Sequence, residues 1–310
     1  MAKTVRIGTR GSPLALAQTR WVEAQLQSQH PGLATELVII KTTGDKLKDV
    51  PLAQVGGKGL FIKEIEEALL AGDVDLAVHS LKDMPAEMPP GCTLGAVPPR
   101  EDCRDAFISQ RYDSLGEIPP GGRVGTGSLR RKVQILHRRP DLEVVHLRGN
   151  VDTRLRKLET EGLDAIILAA AGLKRLGLGH IPRAYLAATE MLPAIGQGAL
   201  GLEVRSDDGE MLELLKPLNH RPTQVAVTGE RGFLARLEGG CLVPVAALGR
   251  LEGETLTLEA LISDLTGRRV LQDRLVGPPE EAEAMGRRLA EMLLARGGGA
   301  ILQEIFGRPF

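Results

Sequence analysis

The sequence predicts an α/β protein with largely parallel sheets over its first two-thirds, followed by a separate α+β domain from about residue 218 on. Three observations carry this. Short apolar runs alternate with amphipathic helical stretches. The order strand, glycine turn, helix recurs in GRVGTGSLRRKVQIL, EVVHLRGNVDTRLRKLE and DAIILAAAGLKRLG. The tail changes to clean apolar–polar alternation in ETLTLEALIS.

Each element follows from its own residues. In TVRIG, Val5 and Ile7 share one face of a strand. In RGSPLALAQTRWVEAQL, Ser12 is an N-cap type and Pro13 falls at the first helical position. Leu14, Ala17, Trp21 and Ala24 follow at helical spacing. ELVII is a second strand, and LFIKEIEEALLAG a helix ending near Gly72. VDLAVHS is a strand in which Val74, Leu76 and Val78 alternate. Toward the C-terminus, Leu256, Leu258, Ala260 and Ile262 share a face, and a turn at DLTG leads into RRVLQDRLV as an antiparallel hairpin. A helix from about Pro279 to Arg296 sets Ala282, Met285, Leu289 and Leu293 on one stripe. Gly297, Gly298 and Gly299 read as a loop, with no strand leading into them to form a phosphate cradle. No repeat of fixed period is present.

With 310 residues the chain has room for two or three domains. Aromatic residues are only 3%, so Leu, Val, Ile and Ala must fill the cores. A formal net charge of -1 gives no whole-chain pull on nucleic acid. The three cysteines, Cys92, Cys103 and Cys241, form no C-x-x-C, which suggests neither a disulfide framework nor a zinc site. The six histidines lack ligand spacing, which argues against a catalytic metal. MAKTVRIGTRGS has no secretory h-region, and no apolar run reaches the length of a membrane span. A soluble cytoplasmic protein without nucleic-acid or membrane partners is expected.

Ligands of open α/β sheets bind outside the carboxyl ends of the strands. Arg10 and Ser12 stand after the first strand; His79, Ser80, Lys82 and Asp83 stand after VDLAV. Thr126, Ser128, Arg130 and Arg131 follow RVG. Arg148, Gly149 and Asn150 follow VVHL, with Arg154 one turn on, and Lys174 and Arg175 follow AIILAAAG. Every junction offers a cation, and arginine grips carboxylate or phosphate at two points. The alternative is a set of solvated helix-surface charges. No P-loop order and no dinucleotide fingerprint is present, so a polycarboxylate is the simplest ligand. Asp83, among cations, stays ionised and could stabilise positive charge or exchange protons; it could equally be a helix N-terminal charge in SLKDMP. His79 reads as a hydrogen-bonded structural residue rather than an acid–base group. In LEGGCLVPVA, Cys241 is either a core residue opening a strand or a thiol held out on a loop to react.

Taken together, IGTRGSPLAL, GGKGLFIKEIE, DLAVHSLKDMP, GTGSLRR, LRGNVDTRL, AAAGLKRLG, LPAIGQGALG and RLEGGCLVPV resemble, in order and over nearly the whole chain, the hydroxymethylbilane synthase (porphobilinogen deaminase) family. HSLKDMP and LEGGC are its specific motifs. The resemblance implies a transferase of tetrapyrrole (haem) biosynthesis. It joins four porphobilinogen molecules head to tail with loss of ammonia, and water then frees linear hydroxymethylbilane. It implies a dipyrromethane cofactor held by a thioether to Cys241, whose thiolate nearby arginines would favour. It implies two α/β domains like those of type II periplasmic binding proteins, here 1–98 with 198–217 and 99–197, and a smaller α+β domain, 218–310, carrying the cysteine. Asp83 matches the catalytic aspartate, which bonds pyrrole N–H groups and steadies the azafulvene-like cation. Lys82, Asp83, Thr126, Ser128, Arg130 and Arg131 match residues holding the cofactor. Arg10, Ser12, Arg148, Arg154, Arg175 and Gln197 match the substrate and elongation path. GDKLKDVPLAQVGGKG, with Lys58, matches a loop over the cleft. The family suggests a monomer.

Two positions depart from the pattern. Gly127 stands where the family often has a second serine, and Gln54 where some members carry lysine. Rival readings are an anion receptor of the periplasmic-binding type, a thiol hydrolase using Cys241 with His79, and nucleic-acid binding through the basic block Arg123 to Arg156. The receptor needs an export signal, the hydrolase predicts an acyl-enzyme, and the third predicts steep salt dependence.

Overall fold

A computed structural model describes residues 4–46, 62–237 and 243–308. The chain divides into two compact units. The first is Met1–Glu101 with Ala199–Gln224, and the second is Asp102–Gly198 with Val225–Phe310. The C-terminal α+β segment therefore groups with the central sheet.

The chain begins β1 (Val5–Thr9), α1 (Pro13–Gln29), β2 (Thr35–Ile39), α2 (Thr43–Lys46) and α3 (Lys63–Ala71). It continues β3 (Leu76–Ser80), β4 (Cys92–Ala96), β5 (Asp105–Ile108), β6 (Arg123–Thr126) and α4 (Leu129–Arg138). Then come β7 (Glu143–His146), α5 (Val151–Thr160), β8 (Ala165–Ala169), α6 (Ala170–Arg175) and β9 (Ala184–Leu186). β10 (Leu200–Arg205), α7 (Gly209–Leu215) and α8 (Arg221–Arg236) lead to β11 (Val245–Glu252), β12 (Thr255–Ser263) and β13 (Val270–Gly277). α9 (Ala282–Leu293) and α10 (Gly299–Phe306) close the chain.

The two α/β sheets repeat one plan. The first is ordered β2-β1-β3-β10-β4 and the second β7-β6-β8-β5-β9. In each, the first three strands pair in parallel, as the strand–helix order requires. In each, the fourth strand runs against its neighbours: β10 against β3 and β4, β5 against β8 and β9. These are mixed α/β sheets, with the C-terminal sheet β11-β12-β13 wholly antiparallel.

Unit one buries Val5, Ile7, Leu76, Val78 and Leu202 with Val22 and Leu26 of α1 on one face of its sheet. Ile65 and Leu69 of α3 cover Ala77 and Cys92 on the other. The buried stripe of α1 is Gln18, Thr19, Val22 and Leu26, not the predicted Leu14, Ala17, Trp21 and Ala24; Trp21 is exposed. The polar pair is accepted there because both side chains are bonded. Gln18 Nε2 donates to Ser80 Oγ at 2.8 Å and Thr19 Oγ1 to Thr9 Oγ1 at 2.7 Å.

In unit two, separate clusters flank the second sheet, around Phe107, Val124 and Ile167 and around Ile166, Leu147 and Leu168. The C-terminal hairpin forms as predicted and gains β11 as a third strand. α8 and α9 pack on it through a core containing Phe233, Leu258, Leu289 and Leu293. Their backbones touch: a Cβ on Gly286 would fall 2.1 Å from Gly229 O. The three-glycine segment is not a loop. Gly297, at φ 110, kinks one helical stretch into the next, and Gly299 opens α10. Glu230 of α8, fully buried, accepts from Gly196 N at 2.6 Å and Gly249 N at 2.9 Å, tying the segment before Gln197 to β11.

Candidate functional site

Unit one carries Arg10, Ser12, Lys82 and Asp83. Arg10 follows β1 directly, and Ser12 caps α1, its Oγ accepting from Ala15 N at 3.2 Å. β3 ends in a 3-10 turn, Leu81–Asp83. Leu81 and Met84 on either side are buried, Lys82 is half-buried and Asp83 is exposed. The turn thus offers its carboxylate outward from an apolar footing. His79 is buried against a carboxylate, Glu203, rather than presented with Asp83.

Unit two carries Thr126, Ser128, Arg130, Arg131, Arg148, Arg154, Arg175 and Gln197. Thr126 ends β6, and Ser128 caps α4, whose first turn carries Arg130 and Arg131. Both guanidiniums are buried on one carboxylate, Asp105 at the start of β5. Arg130 Nη1 lies 2.7 Å from Oδ2, while Arg131 donates to Oδ1 from Nε at 3.0 Å and from Nη2 at 2.8 Å. Burial alone would raise the Asp105 carboxyl, but the two guanidiniums outweigh it and hold the group well below the usual carboxylate range. Gln197 joins them: its Nε2 donates to Asp105 Oδ1 at 2.9 Å and to Cys103 O at 2.7 Å. Arg131 Nη1 also donates to Ile167 O, and Arg130 Nη1 to Leu192 O. Arg130 Nε is buried with no hydrogen-bond partner among the described residues. Two cations on one anion leave this pocket short of negative charge.

Arg148 and Arg154 gather at the ends of β7 and α5. Arg148 Nε lies 3.2 Å from His146 Nε2. Burial lowers the pKa of that imidazole, and Arg148, Arg154, Lys132 and Lys157 lower it further, which marks a concentrated positive field. Arg154 Nη2 stands 3.9 Å from where a Gly127 Cβ would be. Arg175 Nη2 donates to Gly198 O at 2.8 Å, beside Gln197. The structure thus brings Arg130, Arg131 and Gln197 together through Asp105, and Arg148 and Arg154 around His146, with Arg154 beside Gly127. Cys241, Lys58 and Gln54 lie outside the described residues, but Leu237 and Val243 on either side of Cys241 are buried in one core.

Sequence reasoning missed Asp105, Glu203 and Glu230. Nothing in CRDAFI separates Asp105 from an ordinary surface charge. The only signal was an acid at the edge of a short apolar run facing a surplus of arginine.

Among the described residues no helix is long and apolar enough to cross a membrane. A family model described as "Porphobilinogen deaminase, dipyromethane cofactor binding domain" matches residues 5–213, and "Porphobilinogen deaminase, C-terminal domain" matches 224–295. A curated porphobilinogen deaminase of Syntrophotalea carbinolica is 56% identical, covering 98% of this chain and 96% of its own. That of Trichlorobacter lovleyi is 54% identical, covering 99% and 98%. Among solved structures the chain is similar to the methionine-binding protein MetQ, at 14% identity and TM-score 0.45, over 76% of this chain and 94% of that one.

Proposed function

The chain belongs to the porphobilinogen deaminase family, transferases of tetrapyrrole biosynthesis that carry a dipyrromethane cofactor, and we propose that Asp83 is its catalytic carboxylate and Cys241 its point of cofactor attachment. The reaction condenses four porphobilinogen molecules head to tail with release of ammonia, and water frees the linear hydroxymethylbilane. The cofactor, when bound, supplies the pyrrole carbon from which the chain grows. Asp83, exposed on a firmly seated turn, accepts hydrogen bonds from pyrrole N–H groups and offsets the positive charge that develops as ammonia leaves. Lys82, Thr126, Ser128, Arg130 and Arg131 hold cofactor carboxylates. Arg10, Ser12, Arg148, Arg154, Arg175 and Gln197 guide the substrate and the growing chain.

The observation that carries this reading is the buried Arg130–Arg131–Asp105 group. It holds two cations against one anion, and its Arg130 Nε is unsatisfied. A ligand carboxylate supplies the missing charge, and pyrroles bearing acetate and propionate fit that need. The division into 1–98 with 198–217, 99–197 and 218–310 belongs to the same reading, as do a cytoplasmic location and a monomer, which light scattering at the mass of one chain would support.

The intact mass of the purified protein tests it. An excess of one dipyrromethane, mapped to the peptide with Cys241 and absent from Cys241→Ser, is expected. Unmodified protein that gains the adduct on addition of porphobilinogen was apo-enzyme. Protein that gains nothing defeats the assignment of Cys241.

A further inference from the structure

One buried polar cluster has no part in that scheme. Four ionisable side chains meet beneath α3 in unit one: His79 of β3, Glu203 of β10, Glu66 of α3 and Cys92 of β4. His79 Nε2 lies 2.8 Å from Glu203 Oε2, with the side chains 4% and 0% exposed. Strand register makes the meeting. Gly201 stands opposite His79, so Glu203 is the diagonal neighbour on the same face. Burial, then Glu203, raises the Glu66 carboxyl, with Glu67 adding and His79 opposing. Burial, then Glu203 and Glu66, pushes the Cys92 thiol up to about 12, against Arg205. Among the described residues no group of three such side chains is placed to hold a metal ion.

Burying two such polar side chains is costly, and an apolar replacement is often neutral or stabilising. Stability is therefore a poor reason for this pair, and its position supplies a better one. The two strands it joins also seat the turn that carries Lys82 and Asp83. Leu81 N donates to Ala199 O at 3.0 Å, just before β10. Leu81 and Met84 close over Gly201, where a Cβ would fall 3.0 Å from Leu81 Cδ1 and 2.5 Å from Met84 Sδ. The exposed Asp83 thus inherits its place from the β3–β10 pairing.

We propose that His79 and Glu203 are positioning residues whose buried side-chain contact, 2.8 Å across, holds β3 to β10 and so fixes the turn presenting Asp83. The proposal rests on Asp83 being the catalytic carboxylate.

Cofactor-loaded enzyme, with loading verified by intact mass, provides the test. Glu203→Gln keeps the shape and an acceptor for His79 but removes the carboxyl; Glu203→Ala removes the side chain beyond Cβ. A misplaced Asp83 lowers kcat by about tenfold in the first and about a hundredfold in the second. KM for porphobilinogen should stay within about twofold, since only the transition state loses an interaction. His79→Gln should show the same split. Amide exchange at Leu81 and Met84 should accelerate in Glu203→Gln, a readout available even if the alanine variant does not fold. Wild-type kcat in loaded Glu203→Gln, or a raised KM at unchanged kcat, overturns the proposal, as does unchanged exchange. Asp83→Asn runs alongside. Full turnover there sinks the reading of Asp83 itself, whatever the Glu203 variants do.

Discussion

Arg131 reaches Asp105 with two nitrogens, Nε at 3.0 Å and Nη2 at 2.8 Å, and both partners are buried. A third nitrogen, Nη1, is bonded to Ile167 O. The fork of Arg131 is thus largely committed within the protein, and its partner Arg130 keeps the buried nitrogen without an acceptor. Asp105 gives two adjacent arginines different surroundings and holds both rigid.

Asp105→Asn should be costly. Two buried guanidiniums would lose their carboxylate, and breaking a buried ion pair from one side costs about 3–5 kcal/mol. Urea denaturation should show a loss of that order. A loss within about 0.5 kcal/mol, as at an ordinary surface site, would contradict the buried-pair assignment.

The acid limb of stability follows from the same group. The Asp105 carboxyl is depressed in the folded state, and so is Asp102, through hydrogen bonds from Arg104 and then Lys174 against the opposing effect of burial. A depressed folded pKa contributes stability that is fully present above the unfolded value of about 4 and is lost as pH falls through the folded one. These two groups should therefore add no slope between neutral pH and about 5. Urea midpoints should fall below about pH 4, and less steeply in Asp105→Asn.

Gly127 is a close-approach position. A Cβ there would fall 2.6 Å from Leu147 O, a backbone atom that cannot swing aside. Gly127→Ser should cost about 1–3 kcal/mol unless the end of β7 withdraws. Thermal denaturation of that variant decides it.

Asp83→Glu moves the carboxylate by one methylene on a turn whose flanking side chains are buried. Turnover should fall by about a hundredfold with the cofactor still attached. Intact mass and a porphobilinogen assay read the two separately.

The cysteines should differ in reactivity. The Cys92 thiol is pushed up to about 12, so at pH 8 only about one part in ten thousand is thiolate. Iodoacetamide should leave Cys92 unlabelled in the native protein and label it after unfolding. Peptide mapping checks this.

The strand-end cations were legible because glycine turns and N-caps announce where a strand gives way to a helix; Ser12, Ser128 and Asn150 all cap as their residue types suggest. The buried anions were not. In LGLEVR, Leu200, Leu202 and Val204 alternate with Gly201, Glu203 and Arg205, which by period alone reads as a strand with one wet face. The α3 helix covers that face, so Glu203 is fully buried. Likewise α1 turns Gln18 and Thr19 inward because Ser80 and Thr9 are there to receive them. The Gln18–Ser80 pairing joins residues 62 apart in sequence, and no local pattern encodes it.

The strand β10 lies between β3 and β4, yet it leaves the ribosome only after the whole second sheet. At about 5–20 residues per second, the gap of about a hundred residues is a wait of about 5–20 s. During it β3 and β4 have open edges, and His79 has no carboxylate to meet. Unit one cannot be finished as an independent early-folding piece. A nascent chain stopped before Leu200 should be protease-sensitive throughout its first hundred or so residues, and release past Arg205 should protect them in a single step.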